Sequence, residues 1–164
     1  VYGIGVIPLN KVAVQKLYRI KKREKKKPIA LLVSSRNIVN KFAKQVSPKA
    51  RELIRKYWPG PLTLVLKKRK SVPDFLTSGL PSIGLRMPRN KIAFALIKAA
   101  GGALAVTSAN KSGGKPATSA REIKGLKGID MIIDGGKCKI GVPSTVVVVQ
   151  GEELRTIRKG SIKI

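Results

Sequence analysis

Four sets of polar side chains in this 164-residue chain could do chemistry: Lys21 with Arg23, Ser82 with Arg86, Ser108 with Asn110, and Ser144 with Arg158. Each set falls where an apolar, β-rich run is expected to end. The clearest case is the stretch Ala103 to Pro116, reading ALAVTSANKSGGKP. Ala103 to Thr107 suits a fully buried strand. Thr107, Ser108 and Asn110 then follow at its tip, and Gly113, Gly114 and Pro116 forbid a regular helix directly afterwards. A buried strand that carries small hydrogen-bonding groups to its C-terminal tip is how open α/β sheets build ligand sites. Hydroxyls and an amide can donate to phosphate oxygens, and glycine lets backbone approach closely. The same spacing also describes an ordinary Asn- and Gly-rich turn.

Composition narrows the chemistry. The chain has no histidine, which excludes a Ser-His triad and a histidine metal site. Its one cysteine, Cys138, excludes an internal disulfide, a zinc ribbon and an iron–sulfur cluster, and fits a reducing compartment. The three aspartates, Asp74, Asp130 and Asp134, form no tight carboxylate pair in sequence. Catalysis must therefore rest on cations, hydroxyls and backbone amides. There are 35 Lys and Arg against 8 Asp and Glu, a net charge of +27, so polyanions such as RNA, DNA or nucleotides are the expected partners. No apolar run reaches membrane-spanning length and no secretory signal opens the sequence, so a cytoplasmic protein with no membrane partner is expected. A hydrophobic fraction of 43% with only 4% aromatics predicts an aliphatic core in a single domain.

The elements that must position these residues are legible in outline. Asn10 is placed to cap a helix through about Arg23, with Ala13, Leu17 and Ile20 on one face. It runs into the basic stretch Lys21 to Lys27, which stops at Pro28 before the strand Ile29 to Val33. A polar helix is expected from about Asn37, and a second opens at Ser47-Pro48 as N-cap and N1. Strands are predicted at Leu62 to Leu66 and Ser82 to Arg86, with a loop from Ser71 to Pro81 between them. Asn90 to Ala100 reads as a helix ended by Gly101-Gly102. After the central loop, Ser119 and Glu122 form a capping-box pattern. Further strands are expected at Met131 to Ile133, Thr145 to Val149 and Leu154 to Arg158. Helices and strands intermix without strict alternation, which points to a mixed α/β (α+β) sheet.

Read together, several blocks resemble the YrdC-like family. They are VYGIG at the start, Lys21-x-Arg23, Lys27-Pro28-Ile29, WPGPLT at 58–63, Arg86-Met87-Pro88, Ser108-Ala109-Asn110 with Ser112-Gly113, Pro143-Ser144-Thr145-Val146, and Arg158-Lys159-Gly160. The resemblance covers essentially all of 1–164. It implies a twisted, mostly parallel mixed sheet flanked by helices, with a concave basic face. It also implies an L-threonylcarbamoyladenylate synthase, making threonylcarbamoyl-AMP and pyrophosphate from L-threonine, bicarbonate and ATP. The product serves the threonylcarbamoyladenosine modification of tRNA position 37 through a downstream transferase.

By position, the resemblance assigns Lys21 and Arg23 to the ATP phosphates as the catalytic pair. Lys27, Ser82, Ser108, Asn110, Pro116 and Arg158 are assigned to the nucleotide, and Arg86, Thr107 and Ser144 to the threonine. Magnesium would arrive with ATP, without a metal site of the protein's own. Two features depart from the family pattern. A PT-x-T segment usually precedes VYG, so the domain is expected to lack the first N-terminal strand. Leu32 stands about where some members carry a histidine. Two other readings share the fold: a non-catalytic module that binds tRNA or double-stranded RNA, and the carbamoyl-adenylate domain of hydrogenase-maturation proteins.

Overall fold

In the computed structural model, which describes residues 1–123 and 125–164, three helices start where side-chain caps are available. Asn10 accepts from Ala13 N at the head of α1 (Lys11–Lys21), Ser47 accepts from Ala50 N before α3 (Pro48–Tyr57), and Asn90 accepts from Ala93 N before α5 (Lys91–Ala99). Each cap satisfies a backbone donor that the helix itself cannot. The polar helix expected from Asn37 shrinks to one turn, α2 (Val39–Phe42), and the loop expected at 71–81 contains another, α4 (Asp74–Thr77). The buried stripe of α1 is Val14, Leu17, Tyr18 and Lys21 rather than Ala13, Leu17 and Ile20. That stripe has the spacing of one helix face, and its last member is a lysine.

Seven strands form one mixed sheet: β1 (Gly3–Val6), β2 (Ala30–Val33), β3 (Leu62–Lys67), β4 (Ser82–Arg86), β5 (Ala103–Ser108), β6 (Thr145–Gln150) and β7 (Glu153–Arg158). Their spatial order is β1-β5-β2-β4-β3-β6-β7. Only β2–β4 and β3–β6 pair in parallel, and the other four pairings are antiparallel. The expectation of a mostly parallel sheet is corrected here. Both parallel pairs join strands far apart in sequence, where the chain has room for a crossover; β6 and β7 are linked by a tight turn at Gly151 and can only run antiparallel. Met131 to Ile133, predicted as a strand, pairs with nothing in the sheet and is exposed. The residues just after it are tied down by a side chain: the Tyr2 hydroxyl accepts from Gly135 N and has both Asp134 Oδ1 and Gly136 O within reach of its single proton.

The two faces of the sheet differ sharply. Leu31, Val33, Leu62, Leu64, Leu66, Ile83, Leu85, Ala103, Ala105, Val147 and Val149 are buried in one core with the apolar stripes of α1 and α3. The residues between them, among them Ala30, Leu32, Val65, Ser82, Gly84, Arg86, Val106, Ser108, Val146 and Val148, are only half-buried. Each fully buried aliphatic contributes about 1.5–3 kcal/mol, so the helix-covered face holds the fold. The opposite face is free to hold something else. No helix among the described residues is long and apolar enough to cross a membrane.

Candidate functional site

Strand register places Arg86 and Arg158 on the half-exposed face. Leu32 pairs with Arg86, Leu64 with Leu85, Thr63 with Val146, and Val146 with Arg158. Thr63 therefore stands beside Arg86, and Leu32, Arg86, Thr63, Val146 and Arg158 make one row across five strands. Directly paired side chains share a face, so these five project together. The floor beside the row is kept low by small residues. A side chain built on Gly84 would meet Ala30 Cβ at 3.3 Å and Thr63 Cγ2 at 3.4 Å.

Each member of this end is tethered. Arg86 Nε donates to Gly60 O at 2.8 Å, which leaves both of its terminal nitrogens without a partner among the described residues. Arg158 donates from Nε to Ser144 O and from Nη2 to Ser144 Oγ, each at 3.0 Å. Ser144 Oγ in turn lies 2.8 Å from Thr63 Oγ1, and both hydroxyl residues are buried, at 5% exposure each.

The other end is built at the tip of β5. Lys21, the last residue of α1, is 1% exposed and donates to Ser108 O, to Asn110 O at 2.6 Å and to Asn110 Oδ1 at 3.2 Å. All three ammonium protons are thereby matched to oxygens of the loop. The Asn110 amide donates to Lys111 O and Gly114 O, and Ser112 N donates to Lys21 O. Lysine and asparagine together shape the loop, while the Ser108 hydroxyl stays half-exposed on the open face and without a partner among the described residues. Arg23 donates to Lys27 O and Pro28 O, at the start of β2. Counting along the pairings, Pro28, Ser82 and Ser108 lie at one level of the sheet, four residues below Arg86.

These cations feel one another. Burial, and then the Arg23 charge, pull Lys21 down to about 8. Burial and then Arg158 pull Arg86 down to about 10, and burial and then Arg23 lower Arg158. Four positive groups thus share a partly desolvated face, and none of them enters an ion pair among the described residues. Such an array is costly alone and is relieved by bound anions.

Not every predicted residue belongs to this face. Lys27 points its ammonium at Glu24, at 2.6 Å on the exterior, and contributes to the region only through its carbonyl. Thr107 pairs with buried Ile4, so strand alternation turns it away from Ser108 and Arg86 and toward the helix-covered side. Pro116 is half-buried in the loop beyond Asn110, beside a depression of about 260 Å³ that Asn110, Lys115 and Glu122 help to line. Leu32 pairs with Arg86, so the position where some members carry a histidine lies beside that arginine. Thr63 carries no sequence signal of its own beyond its place in the WPGPLT block. Sequence reasoning also overlooks the small residues Gly3, Gly5, Ala30 and Gly84. Their recurrence at alternate strand positions was the available signal of an open face.

Comparisons with known proteins bear on the family and the fold. The Sua5/YciO/YrdC family model, described as "Telomere recombination", matches residues 1–160. A threonylcarbamoyl-AMP synthase of Pyrococcus abyssi is 40% identical over 149 residues, covering 90% of this chain and 44% of that protein. One from Thiobacillus denitrificans is 35% identical over 150 residues, covering 89% of this chain and 78% of the relative. The crystal structure of P. abyssi Sua5 complexed with L-threonine superposes with a TM-score of 0.93 at 37% identity, covering 98% of this chain and 48% of that one. The chain thus spans less than half of the Pyrococcus protein and about three quarters of the Thiobacillus one. With the seven-stranded mixed sheet and the motif blocks all in place, the chain belongs to the Sua5/YciO/YrdC family.

Proposed function

We propose that this chain is an L-threonylcarbamoyladenylate synthase, a nucleotidyltransferase that converts L-threonine, bicarbonate and ATP into threonylcarbamoyl-AMP and pyrophosphate. The product would be consumed by a downstream transferase that modifies position 37 of tRNA. One observation carries the reading: Arg23, Arg86 and Arg158 share a single open face, with the buried ammonium of Lys21 at its edge, and the Ser82 and Ser108 hydroxyls beside them have no partner among the described residues. Two anionic substrates bound side by side suit such a face.

The chemistry asks little of acids and bases. The threonine amine attacks the bicarbonate carbon, and water leaves, giving a carbamate. A carbamate oxygen then attacks the α-phosphorus, the bond to the bridging oxygen breaks, and pyrophosphate departs with its electron pair. What the protein supplies is alignment and charge compensation. Arg86, held at Nε with both terminal nitrogens free, is shaped for the amino-acid carboxylate. Arg23, Ser82, Ser108 and Arg158 take the phosphates. Lys21 and Asn110 give the loop its form. Magnesium would enter as the counter-ion carried by ATP, where it would neutralise phosphate charge. Incubation with ATP, bicarbonate and each amino acid in turn tests the reading: pyrophosphate release should require threonine. Release without an amino acid, or none with threonine, would overturn it.

A second reading rests on charge. The basic run 21–27 and the run Lys67, Lys68, Arg69 and Lys70 lie at one end of the sheet, since Lys67 pairs with Ser82 at the level of Pro28. Such a rim suits the phosphate backbone of tRNA or double-stranded RNA, and it is compatible with the enzyme reading.

A further inference from the structure

The buried hydroxyl pair between the two arginines of the open face carries one proton more than the described residues accept. Thr63 Oγ1 and Ser144 Oγ are 2.8 Å apart, and Arg158 Nη2 donates to Ser144 Oγ at 3.0 Å. The pair has two hydroxyl protons. One lies in the contact between them, and the other has no acceptor among the described residues. Which one is left follows from the cation. An oxygen that accepts from a guanidinium becomes a stronger donor and a weaker second acceptor, because the bonds of a chain polarise one another. Either hydroxyl could donate in this contact, and the polarisation by Arg158 favours Ser144 as the donor, which leaves the Thr63 proton as the free end of an Arg158–Ser144–Thr63 chain. Register sets Thr63 beside Arg86, and the side chain of Thr63 lies against the Gly84 floor of the same face. A buried hydroxyl proton without an acceptor is rare in folded proteins, and Thr63 stands beside Arg86, where an anion is expected.

We propose that Thr63 is a substrate-positioning residue, whose hydroxyl donates to the carboxylate of the amino-acid substrate that Arg86 holds. This rests on the synthase reading above. The guanidinium fork of Arg86 fixes the carboxylate in its plane, and the Thr63 hydroxyl selects which way it turns, aiming the amine toward the nucleotide side. The chain also tells the amino-acid pocket where Arg158 is, so the two substrates are placed relative to one another through three side chains.

The test compares Thr63→Val with Thr63→Ser in the full chain, using threonine-dependent pyrophosphate release and separate titrations with ATP and threonine. Valine keeps the branched shape that a strand accepts and removes only the hydroxyl. Thr63→Val should raise the KM for threonine roughly tenfold or more, the scale of a lost charge-assisted hydrogen bond, with the KM for ATP unchanged. Thr63→Ser should recover most of that loss. Unchanged threonine KM in Thr63→Val, an equal rise for both substrates, a rise for ATP alone, or no recovery in Thr63→Ser would each overturn the proposal. A lowered melting temperature matching the activity loss in both variants would overturn it too, since the residue would then be structural. Absence of threonine-dependent release in the unmodified chain would instead sink the synthase reading itself, so the two failures are distinguishable.

Discussion

At one end of the open face, Arg86, Thr63 and Arg158 are aligned by strand register, one residue per strand, with Ser144 buried beneath them. At the other end, Lys21 and Arg23 come from the end of a helix and the residues just after it, Lys21 reaching the loop after β5 and Arg23 the carbonyls just before β2. The first end owes its geometry to backbone ladders that the core already pays for. The second owes it to a buried ammonium that gathers the carbonyls of Ser108 and Asn110. One lysine thus does for a loop what the whole sheet does for the arginines. The two ends should accordingly fail in different ways.

The largest effect is expected at the register-built end. Arg86→Ala should abolish threonine-dependent pyrophosphate release, a loss of roughly 2–5 kcal/mol in transition-state binding, while ATP affinity changes little. Side-by-side ATP titration and turnover check this; an equal fall in both would place Arg86 at the phosphates and break the distinction between the ends.

A smaller effect separates the two members of the Lys-x-Arg pair. Both Lys21→Ala and Arg23→Ala should weaken ATP binding by about 1–3 kcal/mol. Lys21→Ala should also lower thermal stability, because it strands the buried oxygens of Ser108 and Asn110 without their donor. Arg23→Ala, at a half-exposed site, should leave melting nearly unchanged. Equal melting temperatures would mean that the loop does not depend on its lysine.

Salt should distinguish the ends further. RNA held by the exposed cations of the runs 21–27 and 67–70, Lys22, Lys25, Lys26, Lys27, Lys67, Arg69 and Lys70, should lose about tenfold or more in affinity between roughly 50 and 200 mM salt. Threonine held at half-buried Arg86 should respond far less, since buried charges are poorly screened. A flat salt response for RNA would remove the basic rim from consideration.

The smallest effect is with pH. Lys21 titrates near 8 in the folded chain against 10.5 ordinarily, so between those values the unfolded chain holds a proton that the folded one has released. By linkage, this group alone makes stability rise with pH across that window. ATP affinity should move the opposite way, declining a few-fold above pH 8 as the ammonium loses its charge, since a phosphate favours the protonated form. The amino-acid end should hold until nearer pH 10, where Arg86 titrates. ATP and threonine titrations from pH 7 to 10 would show whether the two curves part in this order.

How much of this was readable beforehand varies from residue to residue. Asn10, Ser47 and Asn90 announced their helices because a cap is a local bond between residues three apart. The strands at Ser82 to Arg86 and Thr145 to Val149 were legible for the same reason, as alternation and β-branching are local. Met131 to Ile133 was misread because an apolar triplet becomes a strand only if a sheet edge is there to pair with it. Thr107 was misplaced because its neighbour in the motif, Ser108, takes the opposite face of the same strand.

The amino-acid sequence by itself determined the chemistry available: cations, hydroxyls and amides, no histidine, and motif blocks in family order. Those are properties of residue identity and short spacing, which survive without any fold. Only the tertiary structure decided that Thr63, silent in its motif, stands between Arg86 and Arg158, and that Lys21 faces inward to carbonyls rather than outward to solvent. Both depend on pairings between segments tens of residues apart, and such register and burial are set by the assembled core.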